Sequence, residues 1–144
     1  GETLPRPLPS ARLEVAEDRR LATLRRLGLD PRAPAVALCP GAEYGPAKRW
    51  PAAHFAELAR QLAARGCAVW LVGSAKETAL GNEIAGLANG VCVNLCGKTS
   101  LDEAIDVLAS ARLAVSNDSG LMHVAAALGI PLVALYGSSS PDFT

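Results

Sequence analysis

An alternation constrains this chain more than any other feature. From Ala35 onward, short apolar runs and amphipathic stretches take turns. Ala35-Val36-Ala37-Leu38-Cys39, Ala68-Val69-Trp70-Leu71-Val72, Val91-Cys92-Val93-Asn94-Leu95, Leu113-Ala114-Val115-Ser116 and Pro131-Leu132-Val133-Ala134-Leu135-Tyr136 read as strands. Near-continuous apolar strands belong to parallel sheets covered on both faces. The stretches between them carry helical spacing. Pro51–Arg65 sets Phe55, Leu58, Ala59 and Leu62 at i, i+3, i+4 and i+7, with Gly66 as terminator. Lys76–Leu87 sets Leu80, Ile84 and Leu87 on one face. Ser100-x-x-Glu103 is a capping-box pattern, opening a helix with the stripe Leu101, Ile105 and Leu108. Gly120–Leu128 turns Leu121, Val124, Ala125 and Leu128 inward and ends at Gly129. An earlier helix, from about Glu14 to Leu27, uses Leu13, Leu21, Leu24 and Leu27, with Gly28 at its C-cap. The Pro-rich residues 1–12 read as a linker, and 13–144 as one domain. Strand–helix alternation repeated four times predicts the α/β class: a Rossmann-like, doubly wound parallel sheet.

Composition narrows the partners. Half of the 144 residues are apolar, enough to bury a core. The 14 basic and 14 acidic side chains give a formal net charge of zero, which argues against nucleic acid or a polybasic membrane anchor. No apolar run approaches the ~20 residues of a membrane helix. Cys39, Cys67, Cys92 and Cys96 form no Cys-x-x-Cys pair, so they are expected to be reduced and buried, as in a cytosolic protein. With the two histidines far apart as well, no metal cluster is expected. The dinucleotide fingerprint, the phosphate-binding loop and the nucleophile elbow are all missing. Both ends look cut, as in a domain taken from a longer protein.

In doubly wound sheets, ligands bind beyond the carboxyl ends of the strands. The chain has 11 arginines and three lysines, and Lys48, Lys76 and Lys98 each follow one of the first three strands. A compact ammonium suits a phosphate oxygen or a sugar hydroxyl, although exposed loops collect lysines for blander reasons. Lys48 is favoured first, Lys98 second and Lys76 third. The loop Pro40–Pro51 is long and rich in Gly and Pro, with Trp50 expected to anchor it while Lys48 faces a ligand. Asn117-Asp118-Ser119-Gly120 leads straight into a helix whose free first-turn amides suit phosphate. Asp118 would repel phosphate, which suggests a mixed ligand: phosphate on the amides and hydroxyls on the carboxylate. A plain N-cap is the alternative for Asp118. His123, one turn later, is a candidate ligand contact, with ordinary packing as its alternative. His54 is expected to have no such role. The small, hydroxyl-rich Gly137-Ser138-Ser139-Ser140-Pro141 fits sugar or phosphate contacts and equally an ordinary turn.

Four segments together resemble a known family: Pro40-Gly41-Ala42-Glu43-Tyr44-Gly45-Pro46-Ala47-Lys48-Arg49-Trp50-Pro51, Gly73-Ser74-Ala75-Lys76-Glu77, Ser116-Asn117-Asp118-Ser119-Gly120-Leu121-Met122-His123-Val124-Ala125-Ala126-Ala127-Leu128, and Leu135-Tyr136-Gly137-Ser138-Ser139-Ser140-Pro141-Asp142-Phe143-Thr144. They are similar to the ADP-heptose:lipopolysaccharide heptosyltransferases of glycosyltransferase family 9, nearest the heptosyltransferase II branch. The resemblance implies the C-terminal, donor-binding domain of a two-domain GT-B transferase. It implies that Lys48 holds donor phosphate or heptose, that Asp118, Ser119 and Gly120 take heptose hydroxyls and diphosphate, and that His123 lies near the diphosphate. Thr99 would lie against the nucleotide, and Lys98, Glu43 and Tyr44 would belong to the same donor set. The implied donor is ADP-heptose, and the implied acceptor is the lipopolysaccharide inner core, held by an N-terminal domain that also supplies the catalytic base. No cofactor and no metal are implied for the inverting step. The implied location is cytoplasmic, at most peripheral to the inner membrane, and the isolated domain is expected to be inactive. A GT-B transferase using another nucleotide sugar, or a non-catalytic nucleotide-binding module, is the alternative.

Overall fold

The computed structural model describes residues 13–41, 50–117 and 120–135. The linker reading of 1–12 therefore lies outside the described residues. So do Glu43, Tyr44, Lys48, Asp118, Ser119 and the segment 136–144.

The element order is α1 (Glu17–Leu27), β1 (Ala35–Cys39), α2 (Ala52–Ala64), β2 (Ala68–Leu71), α3 (Thr78–Leu87), β3 (Cys92–Asn94), α4 (Leu101–Ala109), β4 (Leu113–Asn117), α5 (Gly120–Leu128) and β5 (Leu132–Leu135). All pairings are parallel, in the order β3-β2-β1-β4-β5. This is the doubly wound α/β sheet expected from the alternation. Helices α2 and α3 pack together on one face, and α1, α4 and α5 on the other. The chain reverses its direction of travel across the sheet between β1 and β4. Their carboxyl ends flank the switch point where such sheets bind ligands.

Strand β1 shows how the pleat divides the core. All five of its residues are buried. Ala35, Ala37 and Cys39 face the α1–α4–α5 side, and Val36 and Leu38 the α2–α3 side. The small side chains leave room for Trp70, which stands opposite Ala37 in the register and is buried on the same side.

Several boundaries moved. Helix α1 starts three residues later than its apolar pattern suggested, because Ala16 is extended and Leu13 instead donates its backbone N–H to the Ala127 carbonyl at 2.9 Å. A 3-10 turn, Ala75–Glu77, precedes α3. Leu87 ends α3 and is 45% exposed, so the inner face of that helix is made by Leu80, Gly81, Ile84 and Ala85. In α4 the buried stripe is Ala104, Val107 and Leu108, not Leu101, which is 66% exposed at the helix start.

Asp106 of α4 is buried. It accepts from Thr23 Oγ1 at 2.6 Å and from Arg19 Nη2 at 3.1 Å, so it joins α4 to α1. A buried carboxylate is tolerated when paired and hydrogen-bonded in this way. All four thiols are free, with Cys39, Cys92 and Cys96 buried and Cys67 half-buried. Among the described residues no helix is long and apolar enough to cross a membrane.

Candidate donor site at the switch point

A cavity of about 750 Å³ opens at the carboxyl end of the sheet, on the α1–α4–α5 side. Its floor is Cys39 at the end of β1 and Gly41 just beyond it, together with Val72 and Gly73 after β2. Its walls are Ser74, Lys76 and Glu77 from the 3-10 turn, Thr99 to Leu101 and Ala104 at the start of α4, and Gly120, Leu121 and Val124 from α5. Apolar and polar groups thus share one crevice, as small-molecule sites require.

Two of the walls are fixed by reciprocal capping. Ser100 Oγ accepts from the Glu103 backbone N–H at 3.1 Å, while Ser100 N–H donates to Glu103 Oε1 at 3.0 Å. This bond to the Ser100 amide, followed by Arg26, holds the Glu103 carboxyl below its ordinary range. Ser74 repeats the device: its N–H and Oγ both donate to Glu77 Oε1 at 2.8 Å, and its Oγ accepts from the Lys76 N–H at 3.2 Å. Glu77 reaches across two strand ends because both carry glycine. A Cβ on Gly41 would lie 2.8 Å from Glu77 Cδ, and one on Gly73 would lie 3.1 Å from Glu77 Oε1. Cavity-facing carboxylate and ammonium groups in this arrangement can accept from sugar hydroxyls and donate to phosphate oxygens.

The β3–α4 connection is held just as tightly. Gly97 N–H donates to the Gly73 carbonyl at 3.0 Å, and Lys98 N–H to the Leu95 carbonyl at 2.9 Å. At Gly97 φ is +79°, and a Cβ there would fall 2.4 Å from Thr78 Oγ1, so glycine is required. Arg26 Nη2 then caps the Lys98 carbonyl at 3.2 Å.

The thiol at the cavity floor is not a reactive one. Burial pushes the Cys39 thiol up to about 12; Cys96 nearby adds to the rise, and a hydrogen bond with Ser116 opposes it. Burial, with Glu77 nearby, likewise pushes Cys96 up to about 12. Both are neutral packing groups at ordinary pH.

Of the residues expected at a site, Thr99 and Gly120 line the cavity. Lys98 is exposed and outside the lining, and His123 sits on the exposed side of α5, one turn after Gly120. Lys48, Glu43, Tyr44, Asp118 and Ser119 lie outside the described residues. Among the described lysines, Lys76, the least favoured in the sequence, is the one in the lining. Ser74 and Glu77 belong to a segment that carries the family resemblance but were given no role in the sequence, although Ser74-x-x-Glu77 is the same capping signature read at Ser100. His54 packs its ring against Trp50 at 5.4 Å. Among the described residues no group of three or more His, Cys, Asp or Glu side chains is placed to hold a metal.

The sequence pattern of Glycosyltransferase family 9 (heptosyltransferase) matches residues 2–144. Lipopolysaccharide heptosyltransferase 2 of Escherichia coli (strain K12) is 52% identical over 148 residues, which cover all of this chain and 42% of that protein. The solved structure of E. coli ADP-heptose lps heptosyltransferase II superposes with a TM-score of 0.86 at 51% identity, covering 98% of this chain and 44% of that one. E. coli heptosyltransferase WaaC with ADP-2-deoxy-2-fluoro heptose superposes with a TM-score of 0.64 at 33% identity, covering 85% of this chain and 38% of that one. The chain spans less than half the length of these relatives.

Proposed function

The chain belongs to glycosyltransferase family 9, the heptosyltransferases, and from that premise we propose that it is the C-terminal, donor-binding half of a GT-B heptosyltransferase. The donor is ADP-heptose, and the product is a lipopolysaccharide inner core extended by one heptose at the cytoplasmic face of the inner membrane. The observation that carries this reading is the cavity itself. It lies at the switch point, is large enough for a nucleotide sugar, and mixes an apolar floor with Lys76, Glu77, Ser74 and Thr99. The related structure that bears an ADP-sugar analogue in its name supports the choice of nucleotide.

In this reading the diphosphate lies near the start of α5, where first-turn amides lack intrahelical partners and the helix end is positive. Lys48 supplies a cation, and Asp118 and Ser119 supply contacts to heptose hydroxyls and diphosphate. His123 approaches the phosphates from the same helix. Transfer with inversion needs a base within hydrogen-bond reach of the acceptor hydroxyl. We place that base, and acceptor binding, in the part of the relatives' length that this chain does not span.

Calorimetric titration with ADP-heptose, ADP-glucose, UDP-sugars and NAD tests the reading. ADP-heptose is expected to bind best, with ADP-glucose weaker and UDP-sugars and NAD weaker still. Preference for a UDP-sugar would assign another transferase, and nucleotide binding indifferent to the sugar would assign a non-catalytic module. Lys48→Ala is expected to weaken ADP-heptose binding by about 1.5–3 kcal/mol, the size of a lost charge-assisted contact, with little change in thermal stability. An unchanged dissociation constant in the folded variant removes Lys48 from the site.

A further inference from the structure

Asn117 ends β4 and is fully buried. Its side-chain amide is used in both senses. The Trp50 backbone N–H donates to Oδ1 at 3.0 Å, and Nδ2 donates to the Pro40 carbonyl at 2.8 Å. Pro40 follows β1 directly and precedes Gly41 of the cavity floor. Trp50 precedes Pro51, the N-cap of α2, and its ring meets Phe55 edge-on at 5.1 Å. One side chain therefore ties three elements together at the switch point: the ends of β1 and β4 and the approach to α2.

An apolar residue of similar volume could fill the same space without the desolvation cost of a buried amide. What an amide adds is a planar donor and acceptor that hold two backbone groups at one separation. Those two groups are also where the chain departs into and returns from residues 42–49, the stretch that contains Lys48.

We infer that Asn117 is a positioning residue for donor binding: it sets the spacing between Pro40–Gly41 and Trp50–Pro51, and so the shape of the β1 side of the cavity. This inference rests on the donor-site reading above. It assigns Asn117 no contact with the donor.

The test is made in the full-length protein, with ADP as the probe. Asn117→Leu keeps the forked shape of the side chain and removes both hydrogen bonds. ADP affinity is expected to fall about tenfold, since the Trp50 N–H and the Pro40 carbonyl both lose the partner that spaces them. With the complete enzyme, KM for the sugar donor is expected to rise while kcat changes little. Ile84→Val, in the α2–α3 core away from the cavity, is the control for lost stability and is expected to keep wild-type ADP affinity. If Asn117→Leu fails to fold, hydrogen exchange of the Trp50 amide in the wild-type protein decides. ADP is expected to slow that exchange several-fold if the clasp braces the site. Wild-type ADP affinity in folded Asn117→Leu, or Trp50 exchange indifferent to bound ADP, overturns the inference. Failure of the wild-type protein to bind ADP at all would instead defeat the donor-site reading.

Discussion

The two faces of the sheet are cut from the same strands and end up doing different work. On the α2–α3 side, Val36, Leu38, Val69, Leu71 and Val115 meet Phe55, Ala59 and Ile84, and the core closes without a buried polar side chain from either helix. On the α1–α4–α5 side, β1 contributes only Ala35, Ala37 and Cys39, and β4 contributes Ala114. Trp70 fills the space over these small residues in the middle of the sheet. At the carboxyl end, nothing of that size follows it, and the cavity opens over Cys39 and Val72. The buried Thr23–Asp106 pair lies on this side too. Among the described residues, a single period-two alternation of large and small side chains therefore builds one face packed with branched residues and another that carries the cavity.

The largest expected effect sharpens this contrast. Ile84→Ala removes a fully buried side chain from the α2–α3 face and is expected to cost about 2–5 kcal/mol in denaturant unfolding. The folded fraction should bind ADP as the wild type does. A matching loss of affinity would show that the two faces are not independent.

Ala104→Phe attacks the other face. Ala104 is nearly buried in the cavity wall, and a ring there would fill space that the proposed donor would occupy. ADP affinity is expected to fall by about tenfold or more, about 1.4 kcal/mol, with a smaller change in unfolding free energy. Tighter or equal binding in calorimetry would break the link between the small-residue face and the site.

The smallest effect concerns pH. Cys39 and Cys96 are raised from 9.0 to about 12 in the folded chain. A raised folded value means the unfolded chain loses its thiol protons first. The contribution of these buried neutral thiols is therefore complete below pH 9 and is lost progressively as pH rises toward 12. At pH 9.5 the loss should be under about 1 kcal/mol for each thiol. Urea unfolding at pH 8 and 9.5, compared with the Cys39→Ala, Cys96→Ala double variant, checks it. An equal alkaline loss in the variant would assign the effect to other groups. In the native protein both thiols should resist alkylation longer than the half-buried Cys67.

Much of the frame was legible in advance. Ala35–Cys39 and Gly120–Leu128 appear with the bounds their patterns suggested, and the Ser100 capping box forms with both of its bonds. These are local matters: period two, period 3.6, and a serine three residues before a glutamate. The resemblance of the loop motifs pointed to the same family that residues 2–144 match. Leu101 and Leu87 were misplaced because periodicity ranks faces but cannot say where a helix runs past its neighbours.

What depended on tertiary structure involves residues far apart in the chain. Asn117 holds Trp50 across 67 positions, and Thr23 meets Asp106 across 83. No window of sequence long enough for one helix contains either pair. Lys76 lines the cavity and Lys98 does not: both are exposed, but the Ser74 turn sets Lys76 in the cavity wall, while Lys98 follows the β3–α4 connection, where its carbonyl meets Arg26. The sequence by itself determined the strands, the helices and their parallel arrangement, since each follows from the spacing of apolar side chains. Which face stays open, which lysine reaches it and which buried amide spans the switch point were decided only when distant segments met, because hydrogen bonds and packing depend on distance in space and not on distance along the chain.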